Sequence, residues 1–260
     1  VSSKDSLGDR MKSFEDCYRV KLPQRMPVVL RIDGKAFHSY TKGCKRPFDD
    51  NLVNCMNETA KYLCENIQGV KIGYVQSDEI SLLLNNYETL NTQSWFDNNI
   101  IKMVSISSAM ASAKFTSISD TIFGKTKMAM FDSRAFILPV DDVCNYFLWR
   151  QQDCTRNSVQ MLARTLYSHK ECNNKNNSQL QEMCFQKGIN WNDCPTQQKR
   201  GRCIIKSEFV KNNDPDFVPQ PGVHYLEPPQ VIRRKWIVDN EIPIFSEYRD
   251  YINNLVKTQY

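Results

Sequence analysis

Two carboxylates, Asp33 and Asp78, stand in settings that suit metal-assisted phosphoryl transfer. Two magnesium ions about 4 Å apart need shared oxygen ligands to hold attacking and leaving oxygens in line, and aspartates at tight turns supply such oxygens. Asp33 follows the apolar run at 28–32 and precedes Gly34, whose missing side chain lets backbone approach a phosphate. Asp78 lies in the polar tetrad Gln76-Ser77-Asp78-Glu79, where Glu79 adds a neighbouring carboxylate. Each turn also has a plain structural reading, since Asp-Gly commonly closes a strand and hairpin tips are polar for solvation. Only a fold that brings the two turns together separates the readings.

The elements that would position them are legible in the apolar periodicity. Residues 28–33 read as a buried strand bounded by Pro27 and Gly34. Leu52, Met56, Ala60, Leu63 and Ile67 recur at helical spacing, with Asp49 or Asp50 as N-cap and Gly69 as stop. Val70, Ile72 and Tyr74 alternate ahead of the acidic tetrad, and 80–84 resumes an apolar run, which predicts a hairpin. A second helix is predicted over 95–115, and a fourth strand over 128–138, closed by Pro139. The order β-α-β-β-α-β is a split βαβ unit. Its right-handed crossover sets the second strand parallel to the first with the third between them, so Asp33 and Asp78 should meet at one sheet edge. The expected class is α+β: a ferredoxin-like, polymerase-palm core over 1–140, with a helical, basic C-terminal elaboration over 141–260 packed on it as one unit. Within that elaboration, 141–168 and 180–187 read as helices, and the Pro-rich stretch 211–230 as an irregular arm.

Composition narrows the partners. The 260 residues are 41% apolar, enough for a substantial core, and no stretch approaches the roughly 20 apolar residues of a spanning helix. Residues 1–19 are polar and mixed in charge, so no targeting segment is expected there. A cytoplasmic or mitochondrial setting is expected, a chain opening on Val leaving a removed segment open. Ten cysteines contain no C-x-x-C pair, which predicts reduced structural thiols. The net charge of +5 gathers at Lys42, Lys45 and Arg46, at Lys199, Arg200, Arg202 and Lys206, and at Arg233, Arg234 and Lys235. Such clusters suit a polyanion.

The segments RIDGKAFHSYTKG (31–43), RPFDD (46–50), GYVQSDEISLLL (73–84), FDSR (131–134) and WRQQDCTRN (149–157) occur in that order. Together they resemble the histidine-tRNA guanylyltransferase superfamily over about the first 160 residues. The resemblance implies a palm-like enzyme working 3′ to 5′ with two Mg²⁺ ions and with ATP and GTP or other nucleoside triphosphates as substrates. Carried over by motif, Asp33 and Asp78 would hold metal with help from the Gly34 carbonyl, and Glu79 would be the adjacent acidic residue. Lys35, Ala36, Phe37 and His38 would hold the activating nucleotide. Ser77 and Arg46 would touch triphosphate, Asp49 would lie near the base, and Lys102 and Arg134 would neutralise phosphate charge. The family also implies a homotetramer built as a dimer of dimers.

One departure stands out. Family members that recognise histidine tRNA carry His-Ile-Asn-Asn after the W-R-Q-x-D-C segment, whereas this chain has Thr155-Arg156-Asn157-Ser158. That points to the Thg1-like branch, which repairs truncated tRNA 5′ ends by templated addition. Base pairing would then select the nucleotide, and the protein would need only backbone contacts, expected from Arg156, Asn157, Lys199, Arg200 and Arg202. Three alternatives stay open: addition of one untemplated G, a palm-fold nucleotide cyclase, and a non-catalytic RNA-binding protein.

Overall fold

Val28, Val29, Leu30 and Ile32 are all buried, and the strand they form lies second from one edge of a six-stranded sheet. The computed structural model describes residues 6–124, 127–211 and 231–257. Its strands are β1 (Val28–Gly34), β2 (Val70–Gln76), β3 (Glu79–Leu84), β4 (Phe131–Ile137), β5 (Arg202–Lys211) and β6 (Val231–Asp239). They lie in the order β4-β1-β3-β2-β5-β6, every neighbouring pair antiparallel. β1 and β2 thus run parallel with β3 between them, as the crossover argument requires. The helices are α1 (Ser6–Asp16), α2 (Phe37–Tyr40), α3 (Asp50–Asn66), α4 (Ile100–Phe123), α5 (Val140–Leu166), α6 (His169–Cys172), α7 (Asn177–Gln186), α8 (Thr196–Arg200) and α9 (Asp250–Asn253).

Strand alternation divides the core into two layers. Val28, Leu30, Ile32, Ile80 and Leu82 face α3 and α4, meeting Met56, Leu63, Met103 and Phe115. Val29, Ile72, Tyr74 and Leu83 face α5 and the C-terminal segment, meeting Val143, Phe147, Phe245 and Ile252. A third cluster, Val159, Leu162, Leu180 and Cys184, ties the far half of α5 to α7.

Two expectations change. The predicted helix over 95–115 is a 3₁₀ turn (Trp95–Asn98) followed by α4, because Phe96, Asp97 and Asn98 all take positive φ and break the spiral. The Asn99 side chain accepts the Lys102 amide and restarts it, and Gly124 ends it at φ 61°. The C-terminal region, expected to be helical and irregular, also contributes β5 and β6. Residues 202–204 of β5 pair with Gly73–Val75 of β2, so the second half of the chain completes the sheet of the first. Charges at Lys206, Glu208 and Arg233–Lys235 hide the strand periodicity, because beyond β2 this hairpin is largely exposed. The expected irregular arm lies almost wholly outside the described residues. All ten cysteines are unpaired, and no described helix is long and apolar enough to cross a membrane.

Candidate active site

The register sets Asp33 of β1 directly opposite Glu79 of β3 and Asp132 of β4. All three lie on the face that carries α5. The Gly34 amide donates to the Asp78 carbonyl at 3.1 Å, which joins the end of β1 to the β2–β3 turn. The structure therefore brings Asp33 and Asp78 to one sheet edge. Asp78 is partly buried, and burial is the main reason its carboxyl is pushed above the ordinary aspartate range. The nearby charges of Asp33 and Glu79 push it further, while a 3.0 Å hydrogen bond from Ser77 Oγ opposes the rise. Ser77 itself sits at φ 45°, a conformation L residues rarely adopt, in the tight turn that presents Asp78.

Glu79, expected to act beside the metal, faces inward. Its side chain is 7% exposed and saturated by two arginines. Arg150 donates from Nε to Oε1 at 2.7 Å and from Nη2 to Oε2 at 2.8 Å, and Arg31 Nη2 lies 2.7 Å from Oε2. A carboxylate bound this way is a structural anchor between β3, β1 and α5. Arg31 also reaches toward Asp33 Oδ2 at 3.6 Å, and its Nε is buried with no partner. Sequence reasoning passed over both arginines. The available signal was a charge inside the otherwise apolar VVLRID strand, since a buried charge needs a partner.

Gly34 has a firmer role than leaving room for phosphate: a Cβ there would come 2.3 Å from the Phe37 ring. Phe37 is buried among Tyr40, Phe115 and Phe131, so its ring is committed to the core and only its backbone is left for a nucleotide. Ala36 adopts φ 55° to make the turn into α2, and the amides of Ala36, Phe37 and His38 find no acceptor among the described residues. Lys35 and His38 are exposed at this turn and Arg46 is exposed in the loop between α2 and α3, and Lys35 and Arg46 have no ion-pair partner among the described residues.

Three further residues take settings that the sequence did not show. Asp49 is only 8% exposed, and its oxygens accept the amides of Asn51, Leu52 and Lys45 at 2.8–3.1 Å. It is the N-cap of α3, which leaves little of the carboxylate for a base. Lys102 lies on α4, which covers the opposite sheet face. It precedes Ser107 by five residues, roughly 7 Å of helix. Ser107 bonds Ser133, and α4 approaches the Asp33 edge only further on, where Ser112 accepts the Phe131 amide. Within one chain Lys102 is thus displaced from both carboxylates. Arg202, expected at RNA, is 3% exposed beneath α3, where it donates to Asn57 Oδ1 and the Val53 carbonyl, and burial pushes its guanidinium down to about 10.

The remaining residues are accessible. Arg134 lies on the Asp33 face, exposed, 3.6 Å from Asp132. Arg156 is exposed and bonds Asp153 Oδ1 at 2.7 Å, while Asn157 bonds its Oδ2 at 3.3 Å. Lys199 and Arg200 are half-buried on α8, Lys199 bonding the Asn192 carbonyl and stacking over Trp191.

The donor set can be tested for a metal. Among the described residues no group of three or more His, Cys, Asp or Glu side chains is placed to hold one. Asp33 and Asp78 are instead a pair of hard oxygen donors. That fits magnesium, which is commonly held by one or two carboxylates, water and substrate phosphates rather than by an all-protein cage.

Known proteins share this fold. A bacterial tRNA(His) guanylyltransferase (Thg1)-like protein, solved in complex with ATP, is 46% identical, covers 97% of this chain and 99% of its own, and superposes with a TM-score of 0.84. A structure of such a bacterial protein in complex with GTP is 45% identical over the same shares, with a TM-score of 0.77. A probable tRNA(His) guanylyltransferase from Dictyostelium discoideum is 27% identical over 80% of this chain and 86% of its own. The family model of tRNAHis guanylyltransferase (Thg1) matches residues 8–139. This chain therefore belongs to the tRNAHis guanylyltransferase (Thg1) family and is a nucleotidyltransferase built on that family's fold.

Proposed function

We propose that the protein extends tRNA at its 5′ end in the 3′-to-5′ direction, copying the opposing strand to repair truncated ends. The observation that carries this reading is the convergence of Asp33 and Asp78 at one sheet edge, in a chain 46% identical to a Thg1-like protein that binds ATP. A nucleoside triphosphate first activates the RNA 5′-monophosphate. That activation joins the RNA phosphate to the α-phosphorus of the triphosphate and releases pyrophosphate. The 3′-hydroxyl of an incoming nucleotide then attacks the RNA 5′-phosphorus, the new anhydride bond breaks, and AMP leaves when ATP is the activator. Asp33, Asp78 and the Gly34 carbonyl would hold Mg²⁺, which when bound neutralises charge on the phosphate oxygens. The side chains of Lys35 and Arg46 and the amides of 36–38, without partners among the described residues, supply cationic and donor groups for triphosphates.

Templated rather than single-G addition is favoured by the segment at 155–158. Arg156 and Asn157 both close on Asp153, and the segment lacks the histidine of the identity sequence. The test presents the protein with ATP, labelled GTP, and two 5′-monophosphorylated tRNAs. One lacks its first nucleotide opposite a C; the other is intact histidine tRNA. Extension of the truncated tRNA alone is expected, while one G added only to the intact histidine tRNA would install the guanylyltransferase reading instead. Assembly as a homotetramer belongs to the same proposal, and light scattering at four times the chain mass would agree with it.

A further inference from the structure

Far from the carboxylates, a cavity of about 180 Å³, several water volumes at ~30 Å³ each, opens where α5 ends and the chain turns through α6 toward α7. Its lining brings together Arg164, His169 and Lys175 with the polar side chains of Gln160, Asn173 and Asn174, and contains no carboxylate. None of the three basic groups has an ion-pair partner among the described residues. The acids nearby in sequence are engaged elsewhere: Glu171 by the amide and hydroxyl of Ser168, and Asp153 by Arg150 and Arg156. The walls are held in place. Capping boxes fix the starts of α6 and α7, and Leu180 at the floor is 3% exposed in the α5–α7 core.

α5 is continuous over 27 residues from the sheet to this cavity. Arg150 clamps Glu79 at the catalytic edge, and Arg164 lies fourteen residues on, roughly 21 Å along the axis. Arg156, Gln160 and Arg164 follow one another at i, i+4 and i+8, so they line one helix face. We propose that this cavity holds a backbone phosphate of the bound RNA, on the order of six nucleotides, at ~3.4 Å each, from the reacting 5′ end. The proposal rests on the RNA substrate argued above. A phosphodiester matches a site with several donors, positive charge and no acid, and α5 is the rigid link that fixes its distance from Asp33 and Asp78.

The test measures binding of 5′-phosphorylated RNA hairpins with stems of about ten and about three base pairs, one longer and one shorter than that span. The proteins are the full chain, an Arg164→Ala/Lys175→Ala double variant, and Arg164→Lys. The unaltered protein should favour the long stem. The double variant should lose about tenfold on the long stem, with a salt slope smaller by about one, lose nothing on the short stem, and keep its melting temperature. Arg164→Lys should keep most of the affinity. Equal affinity of variant and unaltered protein for the long stem, or an equal loss on both stems, overturns the proposal. So does tight binding of inorganic phosphate alone, seen at the His169 resonances, with no dependence on stem length, which would make the cavity a free-phosphate site. Length-dependent, Arg164-dependent binding without nucleotide addition to any RNA would leave this site standing and remove the catalytic reading.

Discussion

Asp78 and Glu79 are adjacent in one turn, yet their carboxylates do different work. Glu79 is enclosed by Arg31 and Arg150, whereas Asp78 is partly exposed and held above its ordinary range by burial and by its acidic neighbours. Replacing Glu79 by Gln leaves two guanidinium groups short of their counter-charge in the interior. The expected cost is about 3–5 kcal/mol, read as a fall in melting temperature of about 10 °C for a chain of this size. Asp78→Asn removes a repelled charge instead, so its melting temperature should equal or exceed that of the unaltered protein. A stable Glu79→Gln variant would show that the buried pair is not an anchor. The sequence showed both acids but not this division, because only the strand register places Arg31 and the crossing of α5 places Arg150 against Glu79. The same limit applied to Arg202, which is basic in composition and buried in fact.

At the scale of elements, periodicity and caps located β1 to β4, α3 and α5, since each buries one face and carries local stop signals. Asp49 illustrates what a cap contributes. Burial alone would raise its carboxyl, but the amides of Lys45, Leu52 and Asn51 outweigh that and hold it below the ordinary value. A depressed folded-state pKa adds stability that is present above the unfolded value of ~3.9 and is lost as pH falls through the folded one. Asp49→Ala should therefore cost about 1–2 kcal/mol at pH 7, with the difference from the unaltered protein closing at an acid pH below the depressed folded-state value. Urea titrations at both pH values check this, and a gap that persists in acid would assign the loss to packing. At the β1–α2 turn, Gly34→Ala drives a Cβ into the Phe37 ring. Destabilisation of about 1–3 kcal/mol is expected, together with reduced nucleotide addition, because the ring and the Asp33 turn move together. Unaltered stability in denaturant would mean that the ring has room to yield. The kink before α4 was not legible, because three consecutive left-handed residues ending in Asn98 leave no periodic mark.

Across the whole molecule, the C-terminal elaboration, expected to pack on the core as one unit, also adds strands to the sheet of the first half. β5 covers the β2 edge, and Ile242, Phe245 and Ile252 fill the layer that α5 begins. We expect a single cooperative transition in calorimetry, and a chain ending at residue 140 should fail to accumulate in soluble form. Two separated transitions would show independent domains. The sequence carried the first half of this architecture because β1 to β4 follow one another locally. It did not carry β5, whose pairing with β2 spans more than a hundred residues, or β6, which pairs with β5 in a hairpin whose outer part is polar. Nucleotide addition is expected to depend on the edge where Asp33 and Asp78 meet. The most direct test of that dependence is the rate of labelled GTP addition to 5′-truncated tRNA, measured with ATP and Mg²⁺ for the unaltered protein, Asp33→Asn and Asp78→Asn, each confirmed folded by its melting curve. Each substitution should remove about 3–4 kcal/mol of transition-state stabilisation, a 10²- to 10³-fold fall in rate, and chelation of Mg²⁺ should stop the unaltered protein. Folded variants that add GTP within a few-fold of the unaltered rate would contradict it.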